Sequence, residues 1–135
     1  TLHVVGTSGN TLKIVDGNQA AGRVLTSDAN GVASWTAPAG NSAWVIKTGN
    51  YTAVAGDRLM VDTSVGAISI TLPASPTLSD SVSIMDVSGS FNTNNLTVLR
   101  NGNKIMGLTQ DMTVSTQNVS LELVYSDATN GWRVR

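Results

Sequence analysis

Cysteine is missing from all 135 residues, which excludes disulfides, thiolate catalysis and cysteine metal sites within the chain. Charge is scarce as well: 13% of residues are charged, about half the usual quarter of a soluble chain, and Glu122 is the sole glutamate. The formal net charge is −1 and no basic cluster occurs. Nucleic-acid binding needs a cationic footprint that displaces counterions, so that class is excluded. An anionic membrane surface is excluded on the same ground. No run approaches the about 18 apolar residues of a membrane span, so no membrane insertion is expected. His3 is the only histidine, which leaves almost no room for a Ser-His-Asp triad or a His-rich metal site in one chain. Strong helix formers other than Ala are few.

What fills the space is Ser, Thr, Asn and Gly, with Val, Ile and Leu. The first group favours turns and strand surfaces, the second strands. The expected fold class is all-β. Strands are predicted at 2–5, 12–15, 23–26 and 33–35, with turns at Ser8-Gly9-Asn10 and at 27–31. These strands are too short and too few to bury a core, since isolated hairpins are marginal in water. Residues 1–40 are therefore expected to form a segment that needs copies of itself beside it. Residues 38–43 are small and polar, as at a junction. Because 2–5 already reads as a strand, the protein is expected to continue on the N-terminal side.

Residues 41–135 read as the larger unit. Strands are predicted at 44–48, 51–54, 58–62, 67–72, 81–87, 96–100, 104–106, 112–116, 120–125 and 132–135. Ile68, Ile70 and Leu72 face one way, with Ser69 and Thr71 opposite. Pro73 and Pro76 stop a strand because neither donates to a ladder. Asn101-Gly102-Asn103 and Asn130-Gly131 suit tight hairpins. Turn signals every 8 to 12 residues fit a sandwich or barrel. The stretch 24–31 echoes 124–131, with Trp35 and Trp132 following; shared turn chemistry accounts for that likeness.

Residues 18–35, Asn-Gln-Ala-Ala-Gly-Arg-Val-Leu-Thr-Ser-Asp-Ala-Asn-Gly-Val-Ala-Ser-Trp, resemble a segment of phage tail-fibre proteins and related bacterial surface fibre adhesins. In those proteins it precedes a C-terminal domain. The later order Gly56-Asp57, Val61-Asp62-Thr63, Thr71-Leu72-Pro73, Arg100-Asn101-Gly102 and Gly131-Trp132-Arg133-Val134 resembles the same type. The resemblance implies an intertwined homotrimer: a short β shaft followed by a β-sandwich or β-prism-like tip. It further implies an extracellular place, on a virion fibre or a bacterial surface fibre, and attachment to a cell-surface glycan or protein receptor. Leu2, Val4, Leu12, Ile14, Val24 and Leu25 are the expected interchain seam. Threefold symmetry could also bring three copies of His3 together on the axis, but a surface or seam histidine is the plainer reading. The metal-binding His-x-His pairs of some fibre tips are absent, and no cofactor or metal is expected.

Few groups could carry chemistry. Asp57, Asp80 and Asp127 sit in turn contexts where carboxylates accept local backbone amides. A glycosidase would need two carboxylates across a cleft, and the chain is read as non-enzymatic. Calcium would need closely spaced oxygens with charge, whereas Asn92, Asn94 and Asn95 bring amides alone. Aromatics are only 4% of the chain, so each carries information. Phe91, in a polar loop, is either an anchor folded inward or an exposed platform. With Asn92, Asn94 and Tyr51 it forms the expected sugar-binding set, an aromatic face beside hydrogen-bonding groups. Trp35 and Trp44 flank the junction and are expected to pin it. A ligand-free trimerisation cap or connector is the alternative function, and a polysaccharide depolymerase the weakest one.

Overall fold

The computed structural model describes residues 13–36 and 43–135, and among these every regular element is a strand and none a helix. The chain divides into two compact units, Thr1–Gly40 and Asn41–Arg135.

In the first unit β1 (Val24–Ser27) pairs antiparallel with β2 (Ala33–Thr36). Asp28 builds the turn between them. Its Oδ1 accepts from the Asn30 and Val32 amides, both at 2.8 Å. Asp16 accepts the Trp35 amide at 2.9 Å, and the Trp35 indole donates to the Ile14 carbonyl at 2.9 Å. Polar contacts hold this unit, because none of its described side chains is buried. Val15 and Val32 are about 60% exposed, and Val24 and Leu25 about 40%. Residues 13–15 run without ladder pairing, against the strand expected at 12–15. The strand expected at 2–5 and the seam residues Leu2, Val4 and Leu12 lie outside the described residues, as does His3.

The second unit closes a core within one chain. β3 (Trp44–Lys47), β5 (Arg58–Val61) and β7 (Ser81–Asp86) pair in parallel, with Trp44 beside Arg58 and Arg58 beside Ser83. β10 (Ser120–Asp127) runs antiparallel to β7, and β11 (Gly131–Val134) antiparallel to β10. The intervening β4 (Tyr51–Thr52), β6 (Ile68–Thr71) and β8 (Leu96–Leu99) form a second parallel set, closed by antiparallel β9 (Met112–Val114). Strand orders are β11-β10-β7-β5-β3 and β4-β6-β8-β9. From β3 to β8 the chain therefore alternates between two sheets. A parallel pair needs a crossover, and here each crossover is a strand of the opposite sheet instead of a helix.

This winding stacks the connections at two ends. Turns 48–50, 62–67, 87–95 and 115–119 share one end; 53–57, 72–80, 100–111 and 128–130 share the other. Period-two alternation supplies the interior. Leu59 and Val61, Val82 and Ile84, Leu123 and Tyr125 face in from one sheet; Ile68 and Ile70, Leu96 and Val98 face in from the other. Trp132 is fully buried and meets Tyr125 edge to face, ring centroids 5.4 Å apart.

The hairpin expectations fare unevenly. Asn30-Gly31 and Asn130-Gly131 do join antiparallel neighbours. Asn101-Gly102 turns the chain, yet β8 meets β9 only after the long 100–111 connection. The strand expected at 104–106 is absent: Met106 and Gly107 both take positive φ, and only Ile105 forms isolated bridges. That segment instead covers Trp132, whose amide donates to the Lys104 carbonyl at 2.9 Å.

Candidate functional site

The four residues expected to bind sugar are not brought together. Phe91 is fully buried, so it offers no stacking face; it is the anchor of its loop. The physical reason is Asp86, itself 6% exposed. Its carboxylate accepts the amides of Ser90 and Phe91, and that of Asn118 from the neighbouring turn, at 3.0 to 3.2 Å. A loop tied down this tightly turns its aromatic residue inward. Asn94 is committed too, donating to the Thr63 carbonyl at 2.8 Å. Of the loop set, Asn92 alone remains exposed.

Tyr51 belongs elsewhere. The 91–94 loop follows the C-terminal end of β7, whereas the Tyr51 phenol reaches Asp57, which precedes the N-terminal end of β5. Burial, then the Asp57 carboxylate, pushes that phenol above its ordinary range. Lys47 Nζ stands 3.4 Å from the ring centroid, so one ring face is occupied.

The carboxylates are employed structurally. All eight aspartates accept at least one backbone amide. Asp57, Asp80 and Asp127 do so in turns, as their sequence contexts indicate. Glu122 pairs with Arg135, the only ion pair among the described residues. The Trp35 amide holds Asp16 below the usual carboxylate range, the Ser64 hydroxyl does so for Asp62, and the Asn130 side chain for Asp127. Among the described residues no group of three metal-ligating side chains occurs.

A different surface gathers unlike groups. The outward positions of the five-stranded sheet place Trp44, Arg58, Ser83, Glu122 and Arg135 in one row across all five strands. A shallow depression of about 250 Å³ lies there, lined by Trp44, Ser83, Ser120, Leu121, Glu122 and Arg135. Arg58 stacks on Trp44, its guanidinium carbon 4.7 Å from the ring centroid. This is smaller than the about 300–1,000 Å³ of a deep ligand pocket. An open row of this kind can hold a flat or extended ligand by one aromatic contact and several hydrogen bonds. Alternation in the sequence puts Trp44 and Arg58 on outward positions, but their adjacency depends on a parallel register that sequence does not reveal. Trp44 thus stacks inside the second unit, while the Trp35 indole is engaged inside the first.

No family model and no curated protein matches the chain.

Proposed function

We propose that this chain is the non-enzymatic distal part of a homotrimeric fibre that attaches to a cell surface through a glycan. One observation carries the reading: the two units differ in self-sufficiency. The larger unit closes a buried core of its own, although Ile46, Val54, Val65 and Leu78 stay exposed on it, whereas the smaller buries none of its described side chains and leaves Val15, Val24, Leu25 and Val32 open to water. Sharing those side chains among three chains about one axis would cover them and hide strand edges. The resemblance of residues 18–35 to fibre segments supports the same arrangement. Commitment of the aspartates to backbone amides favours a non-enzymatic role, since a hydrolase needs carboxylates free to move protons. Shallow sites repeated on a rigid axis gain avidity through effective concentration. Such a fibre tip lies outside the cell, on a virion or a bacterial surface.

Light scattering tests the assembly and cell pull-down tests the attachment. About three times the 14.0 kDa chain mass is expected, with retention on target cells. A trimer that no cell retains leaves a structural cap, and a single-chain mass at working concentration refutes the fibre reading.

A further inference from the structure

We infer that the outer face of the five-stranded sheet binds an acidic saccharide, with a sugar carboxylate on Arg58 and the ring against Trp44. This rests on the attachment reading above and names the ligand class.

Charge is the first argument. The chain carries a net −1, yet this face presents Arg58, Arg133 and Arg135 against Glu122 alone. The carboxylates bordering it, Asp57, Asp62, Asp80 and Asp127, lie in adjoining turns and accept the amides of Val54, Ser64, Thr77 and Thr129. Glu122 neutralises Arg135, so the face keeps an excess of cation.

The second argument is the state of Arg58. It is half-buried, its guanidinium carbon lies over the Trp44 ring, and it makes no ion pair or side-chain hydrogen bond with any described residue. A guanidinium presents donors in a planar fork that matches a carboxylate. Stacking on Trp44 fixes that fork in advance, so little rotamer freedom is lost when an anion arrives. The third argument is what surrounds it. Arg58 stands in register between Trp44 and Ser83, and the depression beside it is lined by the Ser83 and Ser120 hydroxyls, by Glu122 as an acceptor and by Trp44 as an apolar wall. Hydroxyls, acceptor and aromatic wall together suit a sugar, whereas a bare anion would use only the cation.

The test uses the full chain and two probe pairs: trigalacturonate against its methyl ester, and sialyllactose against lactose. Polyglutamate serves as a sugar-free anion. Binding is read by calorimetry, and by retention on target cells. At least one acidic sugar is expected to bind about tenfold or more tighter than its neutral partner and than polyglutamate. Arg58→Gln should remove that preference, roughly a tenfold loss from one charge-assisted contact, and Arg58→Lys should restore part of it. Trp44→Ala should weaken both acidic and neutral probes, while Arg100→Gln, on another part of the unit, should change nothing. Equal binding of acidic and neutral sugars, or of polyglutamate, overturns the inference, as does an unaffected Arg58→Gln. If cells are still retained in that case, attachment stands and only its ligand class falls. Loss of both cell and sugar binding in the unaltered chain refutes the two together.

Discussion

Removing the Asp86 carboxylate should loosen one whole end of the larger unit. Three backbone donors converge on it, from Ser90 and Phe91 in one loop and Asn118 in another turn. A hydrogen bond to a charged group contributes about 1.5–3 kcal/mol, and a buried donor left alone costs about 1–3 kcal/mol. The Phe91 bond is buried, whereas water can reach the part-buried Ser90 and Asn118 bonds. Asp86→Ala should therefore cost about 3 kcal/mol, less than three full contributions. Asp86→Asn should cost about 1–2 kcal/mol. Its amide oxygen can occupy the Oδ2 position, where two of the three bonds end, leaving only the Ser90 amide opposed by a donor. Urea unfolding in a Trp35→Phe background, at fixed protein concentration, isolates the larger unit, because Trp44 and Trp132 are then the only fluorescent indoles. A shift of about 4–8 °C per kcal/mol places the Asp86→Ala melting point about 12 °C or more below the parent. A cost below about 1 kcal/mol, or Asn worse than Ala, would show that Asp86 does not organise this end.

Gly131 should resist substitution more than Gly102. A Cβ at Gly131 meets the Lys104 carbonyl oxygen and a φ of +71°, whereas one at Gly102 meets open space and only its φ of +87°. Thermal melts should show about 1–2 kcal/mol lost in Gly102→Ala and clearly more in Gly131→Ala. Acid should weaken both units. Asp16 in the smaller unit, and Asp62 and Asp127 in the larger, have lowered folded values, so their contribution is complete above the unfolded carboxylate pKa of about 4 and is lost as pH falls through the lower folded values. Circular dichroism should record a shallower acid limb in Asp62→Asn. Phe91→Leu should leave cell retention intact while lowering stability, because this ring only anchors its loop. Leu25→Asp should reduce the mass seen by light scattering toward one chain, since it puts a charge into the proposed seam.

Strand existence was legible wherever alternation was clean. The strands read at 67–72 and 81–87 appear as Ile68–Thr71 and Ser81–Asp86, with Ile68, Ile70, Val82 and Ile84 buried. The Asp-rich turns were legible too, because an aspartate accepts its own local amides without help from the rest of the fold. Connectivity was not. Ladders between β3, β5 and β7 join residues separated by a strand of the other sheet, and nothing in a period-two pattern says which neighbour a strand takes. The sugar-binding set failed for a related reason. Phe91 sits among Ser, Thr and Asn, a polar loop in which an inward anchor and an exposed platform look alike, and a buried carboxylate five residues earlier turns it inward. Met106 gave no warning at all, since a non-glycine residue with positive φ carries no compositional sign.

The alternating course of β3 to β8 also separates length from interior. The return from Arg58 to Ser83 uses many more residues than the return from Trp44 to Arg58, yet side-by-side register is kept in both. Residues added at 62–67 or 87–95 would enlarge one tip of the body and leave its inner rows in place. Such a body can acquire new contact loops by insertion alone, at little thermodynamic expense.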